Sequence, residues 1–162
     1  ETSIGFDGLL NFYEGRNQVC DLDFEADFMR HMNWKGNQCI PYPYVIHANA
    51  SLTERIAQTD MVRGVTIACG GFYGPQGRTL RLPLADPQQN DKIMSFKRGE
   101  QVITNFEMES SAVAGLSRLM GHRATTMCTI IAQRIAKDAK TDYKPFVEKM
   151  ILMALDKLAT LK

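Results

Sequence analysis

The stretch Gln101-Val102-Ile103-Thr104-Asn105-Phe106-Glu107-Met108-Glu109-Ser110-Ser111-Ala112-Val113-Ala114-Gly115-Leu116-Ser117-Arg118-Leu119-Met120 decides the fold. Gln101 to Thr104 reads as a short strand, which ends in the run Asn105 to Ser110. A helix from about Ser110 to Met120 follows. Ala112, Val113, Leu116, Leu119 and Met120 supply its apolar face, and Gly121 stops it.

The same strand–loop–helix order repeats upstream. Arg63 to Ala68 reads as a strand that runs into the glycine-rich loop Cys69 to Arg78. Asp86-Pro87 starts a helix, a capping carboxylate followed by proline at the first helical position, and the helix extends to about Lys97 and stops near Gly99. Further upstream, Asp21 caps a helix to about Met32 with Phe24, Phe28 and Met32 four residues apart. Gly36, Pro41 and Pro43 break the chain, and a short helix spans about Ala48 to Gln58 with Leu52 and Ile56 on one face. Glu1 to Gly15 is glycine-punctuated, with a turn at Phe6-Asp7-Gly8. Downstream, Ala124 to Ala132 is nearly unbroken apolar sequence rich in Thr and Ile, as expected of a strand covered on both sides. A last helix starts near Tyr143 or Pro145, with Val147, Ile151, Leu155 and Leu158 as its expected buried stripe. Strands alternating with helices predict an α/β layered domain spanning 1–162 as one unit. Folds of this kind place ligands at the carboxyl ends of strands. Both unusual loops, 69–78 and 105–110, follow expected strands.

Bulk composition narrows the function. The chain has 162 residues, 44% hydrophobic and 23% charged, with a net charge of +1. A domain of that size can bury a core without disulfides or metal. So small a net charge gives no field for nucleic acid or an anionic membrane. No apolar stretch approaches a membrane span. Cys20, Cys39, Cys69 and Cys128 form no C-x-x-C pair, and Cys128 reads as a small core residue. Scattered cysteines fit a reducing, cytoplasmic setting. His31, His47 and His122 lack metal-ligand spacing, and no G-x-S-x-G elbow, Walker loop or H-E-x-x-H is present, so metal and serine chemistry have no support.

Three clusters remain. Glu107-Met108-Glu109 puts two carboxylates and a thioether at a strand-to-helix junction. A carboxylate can accept two hydrogen bonds from a ribose cis-diol, and a thioether offers a soft surface to a sugar ring. The same acids also read as ordinary first-turn charges, with Glu109 capping the helix. The loop offers Phe72 for stacking on a planar heterocycle, Gln76 with a donor and an acceptor, and Arg78 to donate to a ring carbonyl. A solvated surface loop reads as well. Arg134 ends the long apolar run, placed either for a ligand or for a salt bridge.

Asn105-Phe106-Glu107-Met108-Glu109-Ser110 closely resembles the ribose-binding motif of the nucleoside phosphorylase family. Phe72-Tyr73-Gly74-Pro75-Gln76-Gly77-Arg78 is similar to the uracil-binding loop of its uridine phosphorylase branch. The spacing between them, and Gly121-His122-Arg123-Ala124 leading to Arg134, are similar too. The resemblance covers nearly the whole chain. It implies a three-layer αβα fold around a central mixed sheet, incomplete at the amino terminus. It implies that Glu109 holds the ribose hydroxyls, with Met108 against the sugar and Glu107 in support. Phe72 would stack near the nucleoside, Gln76 and Arg78 would bind the uracil edge, and Arg134 would back them. Ile131 and Ala132 would face position 5 of the ring. Purine-selective relatives carry an aspartate near Gln133, which this chain lacks, so the resemblance favours pyrimidines. The implied reaction is phosphorolysis of uridine to uracil and ribose 1-phosphate, with phosphate as co-substrate, no cofactor and no metal. Dimers or hexamers are the implied assembly.

Two departures qualify this. The loop reads Gly-Pro-Gln-Gly-Arg where some relatives have Pro-Gly-Gln-Glu-Arg. The family's amino-terminal half, with its phosphate loop and arginines, has no counterpart here: Arg16, Arg30 and Arg55 stand in no such context. The chain is therefore expected to be a fragment or a processed product. A phosphate-independent nucleosidase and a non-catalytic nucleoside-binding fragment are the alternatives to the phosphorylase reading.

Overall fold

A computed structural model of the chain describes residues 1–34, 41–133 and 138–159. In chain order the elements are β1 (Thr2–Gly5), α1 (Arg16–Val19), α2 (Leu22–Met32), β2 (Tyr44–His47), α3 (Ala50–Ile56), β3 (Val65–Ala68), α4 (Gln89–Ser95), β4 (Lys97–Arg98), β5 (Gln101–Glu107), α5 (Ser110–Leu119), β6 (Ala132–Gln133), β7 (Asp138–Ala139) and α6 (Lys144–Ala159). Single 3-10 turns lie at Leu9–Phe12 and Gly74–Gln76.

Five strands form one mixed sheet in the order β2-β1-β3-β5-β4. β1, β3 and β5 run parallel, and the outer strands β2 and β4 pair antiparallel. On one face Ile4, Val45, Val65 and Ile67 pack against Phe24, Phe28 and Met32 of α2 and Ile93 of α4. On the other, Tyr44 and Ile46 pack with Leu10 and Ala114 of α5. Alternate residues of β2 thus feed opposite cores, the period-two consequence of a pleated strand. The result is the expected three-layer α/β architecture around a mixed sheet.

Local signals explain most helix limits. Asp21 caps α2 by accepting from Phe24 N at 2.9 Å, and Asn33, with φ 46°, closes it. Asn49 caps α3 through Leu52 N at 3.0 Å. Asp86 accepts from Gln88 N at 3.0 Å, ahead of α4. β1 and β2 were not legible beforehand: Thr2–Gly5 carries one large apolar residue, and Tyr44–His47 directly follows two prolines. Both owe their conformation to neighbours. Each pairs with the other, and β1 also pairs with β3.

Several expectations fail. In α5, Val113 and Met120 of the expected apolar face are 53% and 64% exposed, and Ser110, Ser111, Ala114 and Gly115 are the buried residues. Cys128, expected in the core, is exposed. Residues 124–131 form no strand, and within this run Thr126, Cys128 and Ile130 are exposed. Only Ala132–Gln133 is extended, in a two-residue pairing with Asp138–Ala139. The apolar run supplied strand propensity, but a strand needs a partner edge. Here the run is tied by Asn49 N donating to Ala124 O at 2.8 Å and by the Thr53–Thr125 hydroxyl pair at 2.8 Å, not by a ladder. In α6 the expected stripe is not buried: Ile151 and Leu155 are 50% and 57% exposed. Val147 and Leu158 are partly covered. α6 lies against α3, and Met150 receives a hydrogen bond from Thr129 Oγ1 at 3.4 Å.

Candidate functional site

Two parallel neighbours, β3 and β5, set the site. Ala68 pairs with Glu107, and Cys69 N donates to Glu107 O at 2.9 Å. The glycine-rich loop and the Glu107-Met108-Glu109 junction therefore leave the sheet side by side, from its carboxyl-terminal edge, the position where parallel sheets open to ligands.

β5 extends to Glu107, three residues beyond the expected Thr104. The two glutamates then part roles. Glu107 turns its carboxylate onto the start of α5, accepting from Glu109 N at 2.8 Å, Ser110 N at 2.7 Å and Ser110 Oγ at 2.6 Å. It thereby satisfies orphan amides at the positive end of the helix. Glu109 occupies the cap position but makes no side-chain capping bond. Capping thus belongs to Glu107 and not to Glu109. Glu109 is exposed and makes no side-chain hydrogen bond or ion pair among the described residues, which leaves its carboxylate able to accept from a diol. Met108 is 38% exposed beside it.

In the loop, Arg78 folds back over Phe72 with its guanidinium carbon 3.7 Å from the ring centroid. Its Nη1 donates to Phe72 O and to Gln76 Oε1. The structure thus brings Phe72, Gln76 and Arg78 into one cluster, in which Phe72 is half exposed and Gln76 only 4% exposed. In this arrangement the guanidinium covers one face of the Phe72 ring. Gly77, with φ 70°, supplies the left-handed turn that brings Arg78 back.

Ile131 is 42% exposed, and Ala132 opens the small β6–β7 pair. Arg134 lies outside the described residues. The remaining basic candidates are engaged elsewhere. Arg16 pairs with buried Glu25 at 2.8 Å, Arg30 with Asp27 at 2.8 Å, and Arg55 donates to Lys157 O at 3.2 Å.

A cleft of about 560 Å³ adjoins the junction. Its walls include Ser3, Thr66 and Asn105 from the sheet, Cys128 and Ile130 from the 124–131 segment, and Met150 from α6. None of Phe72, Gln76, Arg78, Met108 or Glu109 lines it. The cleft reaches the junction through Asn105, two residues before Glu107. The Cys128 thiol lies near Asn105, Glu107 and Glu109, although the residue as a whole is exposed. Burial of the sulfur pushes its pKa up, and the Glu107 charge adds to this. Sequence reading missed that the 124–131 segment serves as a wall here, because nothing local shows where such a segment lies.

Among the described residues, no group of three or more His, Cys, Asp or Glu is placed to hold a metal. No described helix is long and apolar enough to cross a membrane. Cys20 and Cys128 are free thiols, and Cys39 lies outside the described residues.

Comparison with known proteins bears on the family and the fold. The model of the phosphorylase superfamily matches residues 4–160. Uridine phosphorylase A of Schistosoma mansoni is 33% identical over 92 residues, 56% of this chain and 31% of that enzyme. A Trypanosoma brucei nucleoside phosphorylase, whose crystal structure is described as showing uridine phosphorylase activity, superposes with a TM-score of 0.81 at 24% identity. That match covers 99% of this chain and 56% of the trypanosome chain, so the chain spans little more than half of that relative. At 24% identity the structural likeness speaks for the fold alone. With the family matched over almost its whole length, the chain belongs to the phosphorylase superfamily, nucleoside phosphorylase-like in fold and uridine phosphorylase-like in sequence.

Proposed function

We propose that this chain carries the base- and sugar-reading part of a pyrimidine nucleoside phosphorylase, one that converts uridine and phosphate to uracil and ribose 1-phosphate. The observation behind it is the juxtaposition of two loops on adjacent parallel strands, joined by the Cys69 N to Glu107 O bond of 2.9 Å. One loop presents an amide and a guanidinium, the other an unengaged carboxylate beside a thioether.

In this reading Glu109 accepts from the ribose 2′- and 3′-hydroxyls and Met108 packs on the sugar, while Glu107 fixes the junction that presents them. Fixing the ribose lets phosphate meet C1′ in line. Gln76 and Arg78 donate to and accept from the uracil edge. Negative charge grows on the departing base, and preorganised donors stabilise it more than they stabilise the ground state. Phe72 stacks near the base, which requires Arg78 to leave or share the ring it now covers. Arg134 would back this cluster, and Ile131 and Ala132 would face position 5. Phosphate would be a co-substrate, and assembly into dimers or hexamers belongs to the same proposal. A nucleoside-binding role without turnover is the second reading: the cleft beside the junction is lined by none of Phe72, Gln76, Arg78, Met108 or Glu109.

The test is calorimetry with uridine, uracil and inosine, followed by a product assay with and without phosphate. Uridine binding without inosine binding is expected, with phosphate-dependent release of uracil. In an active protein Arg78→Ala should lower turnover far more than it weakens ribose 1-phosphate binding. Equal losses in both would remove the leaving-group role, and binding without phosphorolysis would favour the second reading.

A further inference from the structure

We propose that Gln89 and Asn90 of α4 are positioning residues that set the turn presenting Gln76 and Arg78. The inference rests on the pyrimidine reading above only for what the turn is positioned to do. Gln89 is 6% exposed, and its Nε2 donates to Pro75 O at 2.9 Å. The Cys69 thiol donates to the same carbonyl at 3.4 Å. Asn90 Nδ2 donates to Gly77 O at 3.2 Å. The carbonyls on both sides of Gln76 are thus held from one helix, which fixes how the Gln76 side chain leaves the backbone.

Two further observations set this pair apart from casual surface contacts. Gly77 has φ 70°, and a Cβ there would collide with the Asn90 carboxamide. The helix and the turn are therefore fitted at the one position that must be glycine. Asn90 Oδ1 is buried and has no hydrogen-bond partner among the described residues. Such an orphan acceptor is uncommon in folded proteins and calls for an explanation. Here the same carboxamide is committed through Nδ2 to the turn.

α4 can serve as a reference frame because its start is anchored in the core. Asp86 is 6% exposed and accepts from Lys92 Nζ at 2.7 Å, Gln88 N at 3.0 Å and Trp34 Nε1 at 3.2 Å. Trp34 in turn packs edge-on against Phe6 and Phe28, with ring centroids 5.5 and 6.3 Å away. The path runs from the aromatic core through Asp86 and α4 to the Pro75–Gln76 and Gly77–Arg78 peptide units. Misplacing a binding group by about 1 Å can cost about a hundredfold in rate.

Amide hydrogen exchange on the full chain tests this, comparing wild type with Gln89→Met and with Asn90→Asp, which keeps the Asn shape but removes the donor. Gly77 N and Arg78 N bond Gly74 O and Tyr73 O within the turn, at 2.8 and 2.9 Å. Both amides should exchange about tenfold faster or more in either variant, with α2 and β3 unchanged. Uracil affinity should fall about tenfold while ribose 1-phosphate binding holds. Wild-type exchange at Gly77 and Arg78 in both variants would overturn the proposal. Acceleration spread equally through α2 and β3 would overturn it too, because the pair would then merely hold the fold. If wild type bound no uracil, the pyrimidine reading would fall, and the exchange comparison would still decide whether α4 sets the turn.

Discussion

Replacing Glu107 and Glu109 one at a time by alanine separates the two acids by their physics. Glu107 accepts two backbone amides and one hydroxyl at 2.6–2.8 Å, all at the start of α5. Losing a helix cap costs about 0.5–2 kcal/mol, and bonds to an ionised acceptor lie at the strong end. Ser110 is buried and cannot turn freely to water. The expected loss for Glu107→Ala is therefore about 2 kcal/mol, which for a chain of this size lowers the melting temperature by about 4–8 °C. Glu109 is exposed and caps nothing, so Glu109→Ala should stay within about 0.5 kcal/mol of wild type. Urea unfolding followed by far-ultraviolet circular dichroism reads both, provided the slopes agree. Glu107→Gln keeps an acceptor without the charge and should fall between. Equal destabilisation by the two alanine variants, or a Glu107→Ala protein as stable as wild type, would refute the assignment.

Asp86 and Gly5 can be tested in the same way. Burial pushes the Asp86 carboxyl up, but the bonds from Lys92, Gln88 N and Trp34 outweigh it and hold its pKa below the usual carboxylate value. A depressed acid stabilises the fold above its unfolded pKa of about 3.9 and loses that contribution as pH falls through the folded value. Asp86→Asn should thus cost about 1–3 kcal/mol at pH 7, and its gap to wild type should close below about pH 4. Urea midpoints at pH 7, 5 and 3 check this, and a constant gap would contradict it. Gly5 faces Tyr44 across the β1–β2 pair, and a Cβ there would meet the Tyr44 ring and lie 2.9 Å from Ser111 Oγ. Gly5→Ala should destabilise by about 1–3 kcal/mol through overpacking, and an unchanged urea midpoint would show that the ring can yield.

Features encoded by a few adjacent residues could be read directly from the chain. Asp21 as a cap, the limits of α2 and α5, β3 running into a glycine-rich loop, and the two family motifs were all legible, because caps, periodicity and turns act within one or two helical turns. Features that depend on distant partners emerged only in the folded molecule. β1 and β2 exist because they pair with each other and, for β1, with β3. The 124–131 run, strand-like in composition, finds no edge and becomes a wall. In α6, Ile151 and Leu155 stay open although α3 lies against the helix. That Glu107 caps α5, and not Glu109 as local sequence suggests, turns on where β5 ends, and the β3–β5 ladder sets that end. Nor could spacing show that α4 grips the turn around Gln76. Propensity is a property of neighbours along the chain, whereas pairing and burial are properties of neighbours in space.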